Sequence, residues 1–179
     1  RSINSGTSPE YDLRYDGILI PGFVDIHCHG GGGKYFASLN DSEIAQVIAT
    51  HRAGGTVAGL ASLVTEPIPN LISQIKRLVP FAQRGEIAGI HLEGPYLSHA
   101  RCGAHDPNLL RTPTLAEVQT LLDAGQGFIK MITIAPELDG ALEVIEYLAK
   151  SGVIAAIGHS QSDAATAQVA IDRGASVVT

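Results

Sequence analysis

The residues able to do chemistry in this chain gather at the ends of apolar runs. PGFVDIHCHG sets His27 and His29 one residue apart, EIAGIHLEGP ends on His91 and Glu93, and GVIAAIGHS closes on His159. In a strand, residues i and i+2 point to the same side, so His27 and His29 project together and Cys28 projects the other way. Two imidazoles side by side are half of a metal site, and three imidazoles with a carboxylate suit zinc, iron or a similar divalent ion. Taken alone, the His27–His29 pair has a plain alternative, two partly exposed histidines in a loop. A lone histidine such as His159 is more often a hydrogen-bonded structural residue. The set gains force only if its strands end at one place. A divalent ion held there lowers the pKa of its water from about 16 to near 7 and polarises a carbonyl, which is the chemistry of hydrolysis. A carboxylate beside it then shuttles the proton.

The elements that must position these residues repeat along the chain. After residue 17, short apolar runs rich in β-branched residues end in polar ones, and each is followed by a helix-like segment. The runs are GILIPGFVDIHCHG, TVAGLASLVT, EIAGIHLEG, GFIKMITIAPE, GVIAAIGHS and ASVVT. Continuous apolar runs of this kind are buried parallel strands, covered on both faces. Helix signals separate them. Asn40 or Asp41 caps a segment ending near Gly54, and Thr114 with Glu117 has capping-box spacing before a stop at Gly125. A third segment starts at Ser162 and stops at Gly174. Pro80 is expected to kink or divide the segment IPNLISQIKRLVPFAQRG.

Strand followed by helix, repeated, implies parallel βαβ units. Of the two ways to close them, a doubly wound sheet would offer G-x-G-x-x-G before a helix, which HCHGGGGKYF does not. The expected fold is therefore α/β, a (β/α)8 TIM-type barrel, here with about its first six βα units. In a barrel all strand carboxyl ends meet on one rim, so His27, His29, Glu93 and His159 converge. The segment GPYLSHARCGAHDPNLLRTP, about twenty residues long, is far above the usual βα loop and belongs at that rim.

Composition narrows the class. The chain has 179 residues, enough for a substantial core, and its net charge of −6 with no basic block argues against nucleic acid or an anionic membrane as partner. No apolar run is long enough to span a membrane. Cys28 and Cys102 make no disulfide framework and fit a reducing compartment, and the polar start lacks the apolar stretch of a signal peptide. A cytoplasmic protein is the expectation. The sequence opens without Met and stops inside GASVVT, so both ends read as cut.

PGFVDIHCHG, GIHLEGPYL, CGAHDPNLLR, TIAPE and AAIGHSQSDA, in this order, resemble the N-acetylglucosamine-6-phosphate deacetylase family of the amidohydrolase superfamily, from about residue 18 to the end. The resemblance implies hydrolysis of the acetamide of N-acetylglucosamine 6-phosphate to glucosamine 6-phosphate and acetate, in amino-sugar catabolism. It implies that Glu93 and His159 ligate metal, and that His27 and His29 make a second ion possible, with Glu93 bridging. The cofactor would be one or two divalent ions, zinc first, with iron, manganese, cobalt or nickel as alternatives. His105 would contact the sugar, with Gly103 and Ala104 lending backbone contacts from the same loop. A phosphorylated amino sugar would be the substrate and a homodimer the assembly. Residues 1–17 would be a remnant of a small β-domain, and 18–179 an incomplete hydrolase barrel.

Two features of that family fall outside these residues. A further metal-binding histidine belongs at the end of the sixth strand and the catalytic aspartate at the end of the eighth, beyond Thr179. Asp25, Asp106 and Asp163 do not occupy the aspartate's position, so this portion alone is expected to be inactive. His91 is expected to be structural or to lie behind a metal ligand, His51 to be solvated on a helix, and His99 to have no assigned role. Glu137 is expected to hold its loop, Cys28 to pack behind the barrel wall, and Cys102 to lie in the substrate loop without a catalytic part. Two other readings stay open: an amidohydrolase for a different N-acyl compound or cyclic amide, and a barrel remnant that binds sugar or metal without catalysis. A Rossmann-like oxidoreductase is disfavoured by the missing glycine fingerprint.

Overall fold

The computed structural model describes residues 17–179. The expectation of a small β-domain over 1–17 lies, but for Gly17, outside the described residues. In chain order the elements are β1 (Phe23–Cys28), β2 (Gly30–Gly31), β3 (Lys34–Tyr35), α1 (Asp41–Ala53), β4 (Thr56–Leu63), α2 (Ile68–Gln83) and β5 (Gly89–Glu93). There follow two 3-10 turns (His99–Arg101, Pro107–Leu109), α3 (Leu115–Gly125), β6 (Ile129–Ile134), α4 (Ala141–Lys150), β7 (Ile154–Ile157), α5 (Ala164–Asp172) and β8 (Ala175–Val178).

Six strands form one parallel sheet in the order β1-β4-β5-β6-β7-β8. Spatial order follows chain order, with no reversal of the kind at which a doubly wound sheet binds its ligand. The sheet is the curled first part of a (β/α)8 barrel: five complete βα units and a sixth strand.

Strand periodicity divides the burial. Ala61, Leu63, Ile90, Leu92, Ile132, Ile134, Ala155 and Ile157 face the helices and pack on Ile44, Leu71, Ile75, Leu121 and Ile145 in one core. The alternate residues Leu60, Met131 and Ala156, with Val177, form a small cluster on the barrel-interior face. His91 and Glu93 alternate with Ile90 and Leu92, so they share that interior face. Each fully buried aliphatic side chain contributes about 1.5–3 kcal/mol, and the outer layer supplies most of them.

Local chemistry explains where elements begin. The Asn40 side chain accepts from Ser42 N and caps α1, Thr114 accepts from Glu117 N and caps α3, and Asp163, rather than Ser162, caps α5 by accepting from Thr166 N. The capping box at α3 is only half made. The Glu117 carboxylate turns to the Arg111 guanidinium, at 2.6–3.0 Å, and the buried Tyr96 hydroxyl donates to it at 3.2 Å. Two other expectations are corrected. Pro80 does not divide its segment, because α2 runs unbroken to Gln83 and a proline this near the end forfeits few helix bonds. The first apolar run is a strand only from Phe23. In the run of four glycines, Gly32 and Gly33, at φ 62° and 77°, turn the chain between β2 and β3 in an antiparallel hairpin.

Among the described residues no helix is long and apolar enough to cross a membrane.

Candidate metal centre

The carboxylate of Glu93, at the end of β5, is the hub of the rim. His29 Nε2 lies 2.8 Å from Oε2, His27 Nε2 3.3 Å from Oε1 and His159 Nε2 3.1 Å from Oε1. His105 Nε2 approaches Oε2 at 3.5 Å, and His27 and His29 face each other with Nε2 atoms 3.0 Å apart. The structure therefore brings His27, His29, Glu93 and His159 together and adds His105 from the long loop. Two overlapping groups hold donors within 4.8 Å of one another: His27, His29 and Glu93, and Glu93, His105 and His159. Burial raises the Glu93 carboxyl, but hydrogen bonds from His105 and His29 and the charge of His27 outweigh it and hold the group well below the usual carboxylate range.

His159 and His105 are aimed by their Nδ1 contacts, whereas His29 Nδ1 is buried with no hydrogen-bond partner among the described residues. His159 Nδ1 lies 2.8 Å from the Arg101 carbonyl, an acceptor only, so Nδ1 carries the proton. Its Nε2 then faces Glu93 Oε1 at 3.1 Å, a contact that either a second ring proton or a shared cation satisfies. A histidine that donates its far N–H to a backbone carbonyl is the arrangement that metal-binding histidines adopt. His159 sits just past β7 at φ 48°, a left-handed conformation that costs a non-glycine residue on the order of 1 kcal/mol or more. Its backbone is pinned: its carbonyl accepts from Ser98 N at 2.9 Å, while Glu137 accepts from Ser160 Oγ at 2.6 Å and Gln161 N at 2.8 Å. Glu137 thus holds the loop that carries His159.

The long loop closes on the same ring. Gly103, at φ 59°, lies so close that a Cβ there would sit 3.2 Å from His159 Cε1. Ala104 is exposed. His105 is buried, and its Nδ1 accepts from Thr65 N at 3.3 Å and meets Thr65 Oγ1 at 2.8 Å. The proton of the neutral ring is then on Nε2, facing Glu93, where it acts as a donor rather than a metal ligand. His99 is exposed, and Cys102 is half-buried with its Sγ near no histidine.

Thr65 was not singled out from the sequence, nor were Ser62 and Thr133, which surround His91. Cys28 N donates to Ser62 Oγ at 3.0 Å, and Ser62 Oγ meets His91 Nδ1 at 2.9 Å. His91 Nε2 meets Thr133 Oγ1 at 2.8 Å, and Thr133 meets Thr179 Oγ1 at 3.2 Å. This relay ties together β1, β4, β5 and β6 and reaches the residue after β8. Burial pushes the His91 imidazole down to about 3, with neighbouring His27 adding to the shift. His91 is a neutral, fully hydrogen-bonded ring stacked edge-on against His27 at 4.8 Å, the structural role expected of it. The expectation for His51 is corrected: it is half-buried, with Nε2 3.0 Å from Cys28 Sγ and 3.0 Å from the Gly30 carbonyl. The hairpin β2–β3 folds back over α1 and covers it.

No family model matches the chain. Among curated proteins it is 37% identical to the N-acetylgalactosamine-6-phosphate deacetylase of Shewanella sp. (strain ANA-3), over 96% of this chain and 43% of that one. It is 31% identical to the N-acetylglucosamine-6-phosphate deacetylase of Bacillus subtilis, over 96% of this chain and 45% of that one. The crystal structure of N-acetyl-D-glucosamine-6-phosphate deacetylase from Mycobacterium smegmatis superposes with a TM-score of 0.90 at 46% identity, over 98% of this chain and 47% of that one. A mutant of that enzyme, in complex with N-acetyl-D-glucosamine-6-phosphate, gives a TM-score of 0.87 at 49% identity over 89% of this chain. The chain spans less than half the length of the curated relatives it matches. Over the part it spans, this chain is a relative of the N-acetylglucosamine- and N-acetylgalactosamine-6-phosphate deacetylases.

Proposed function

We propose that the complete protein hydrolyses the acetamide of N-acetylglucosamine 6-phosphate, releasing acetate and glucosamine 6-phosphate. The observation that carries this reading is the Glu93 hub, where a buried carboxylate meets His27, His29 and His159, the last with its Nε2 turned toward it by the contact of Nδ1 with the Arg101 carbonyl. The donor set is three imidazole nitrogens and a carboxylate, which fits zinc, with iron, manganese, cobalt or nickel as alternatives. Glu93 faces His27 and His29 on one side and His159 on the other, which supports two ions bridged by it. A divalent ion there would supply Lewis acidity toward an amide carbonyl and a more acidic water.

The chain's own residues prepare the site. Glu93 brings negative charge to the rim, and Thr65 orients His105 so that its Nε2–H faces the hub, where it can also donate to a sugar oxygen. Gly103 lets the loop approach His159 and leaves its backbone beside the site. No residue of this chain is assigned the proton shuttle, which the resemblance puts on an aspartate outside it. The same reading carries a small β-domain to which residues 1–17 contribute, a homodimer and a cytoplasmic location.

N-acetylgalactosamine 6-phosphate is a second reading, favoured by the Shewanella relative; the higher identity to the Mycobacterium enzyme favours the glucosamine epimer. Acetate release from both epimers, and from unphosphorylated N-acetylglucosamine, separates these. Fastest turnover on N-acetylglucosamine 6-phosphate, lost on chelation and restored by zinc, is expected. Equal rates with and without the 6-phosphate, or turnover untouched by chelation, would overturn the proposal.

A further inference from the structure

A second group of ion-binding side chains lies apart from the Glu93 hub, where a shift in the β1–β4 register between Asp25 and Cys28 breaks strict alternation and lets both reach one cluster. Asp25, Cys28 and His51 each bring a donor atom to within 4.8 Å of the others. Cys28 Sγ and His51 Nε2 are 3.0 Å apart, and both approach the Gly30 carbonyl oxygen, at 3.4 and 3.0 Å. Sulfur, nitrogen, carboxylate oxygen and carbonyl oxygen thus converge from β1, β2 and α1.

The geometry around them is built rather than incidental. Asp25 Oδ1 accepts from the His27 backbone N–H at 3.1 Å, which orients the carboxylate. Gly31 makes room for the imidazole, since a Cβ there would fall 2.8 Å from His51 Nε2. Cys28, His51 and Asp25 line a cleft of about 380 Å³, counted with its open mouth, between β1, α1 and β4. An ion and its water can therefore reach the donors from solvent. The Cys28 Sγ–H donates weakly to the Gly30 carbonyl, at 3.4 Å.

We propose that Asp25, Cys28, His51 and the Gly30 carbonyl form a second divalent-cation site of zinc type, on the helix side of β1. A thiolate with an imidazole and oxygen donors selects a borderline-soft ion such as zinc or cobalt(II) over magnesium or calcium. On binding, the S–H bond breaks, sulfur bonds the ion, and the proton passes to solvent. Because Cys28 stands between His27 and His29, an ion on this face clamps the strand that presents both to the hub.

The two sites differ in a way that spectroscopy reads. The Glu93 hub offers only nitrogen and oxygen, whereas the second site includes a thiolate. Metal-free complete protein is titrated with cobalt(II) and its near-ultraviolet absorption recorded for wild type, C28S, H51Q and C102S. A thiolate-to-cobalt charge-transfer band is expected in wild type and C102S. It should vanish in C28S and weaken in H51Q, with about one bound ion per chain fewer in each. Cobalt uptake with no such band, or a band that survives C28S, overturns the proposal. If C28S fails to fold, as circular dichroism would show, H51Q decides: an unchanged band and ion count in H51Q refutes the site.

Discussion

β5 and β1 present donors to the same rim from opposite surroundings. β5 lies inside the sheet between β4 and β6, and all of its residues are buried. β1 pairs only with β4 among the described residues, and Phe23, Val24 and Ile26 are 57, 67 and 43% exposed. Glu93 is accordingly fixed from both sides, its strand neighbours locked by the Ser62–His91–Thr133 relay. His27 and His29 depend on one neighbouring strand, on each other, and on what holds Cys28 behind them. The anionic half of the centre is rigid by packing, and the imidazole pair on the edge is placed by local contacts.

The comparison can be broken hardest at its hub. Glu93→Gln removes the charge that the surrounding histidines oppose, and the complete protein should lose bound metal and more than about 100-fold of the proposed deacetylase rate together. Plasma emission analysis beside an acetate assay checks this, and unchanged values in both would refute Glu93 as hub.

Packing comes next. Leu92→Ala, on the helix-facing side of β5, should cost about 2–5 kcal/mol in denaturant unfolding. His91 supplies a pH dependence on the order of 2 kcal/mol. Its folded pKa of about 3 lies below the ordinary 6.5, so between these values the unfolded chain binds the proton and the folded chain does not. Stability is full above pH 6.5 and should fall by about 2 kcal/mol by pH 5. Glu93 adds loss of the same sign as pH drops below its ordinary 4.5. Unfolding of metal-free His91→Gln should show a flatter acid limb than wild type.

The smallest effect belongs to the edge. Val24→Ala should change the stability of the 179-residue chain by no more than about 0.5 kcal/mol, because its side chain is already in water. A cost of several kcal/mol in the complete protein would show that residues outside this chain cover β1.

How much of this was legible in the sequence follows from what each feature depends on. His27, His29, Glu93 and His159 could be located because strand alternation and a common rim need only strand order. Glu137 could be given its loop because APE follows an obvious strand. Ser62, Thr65 and Thr133 could not, since their partners are set by the register between β4, β5 and β6, which no single segment encodes. His51 read as a solvated helix residue because the hairpin that covers it is made by glycines at positive φ, and HGGGGKYF has no alternating strand pattern to betray it. Glu117 shows the same limit: its spacing from Thr114 marks the helix start, but Arg111 and Tyr96 from the long loop take its carboxylate.

The decisive measurement is anomalous diffraction at the zinc edge, from crystals of the zinc-loaded complete protein. A peak is expected about 2.0–2.2 Å from a Glu93 carboxylate oxygen and from His159 Nε2, with His27 and His29 bound to the same or an adjoining ion. An active, zinc-loaded protein whose peaks all lie away from Glu93 would contradict the Glu93 centre.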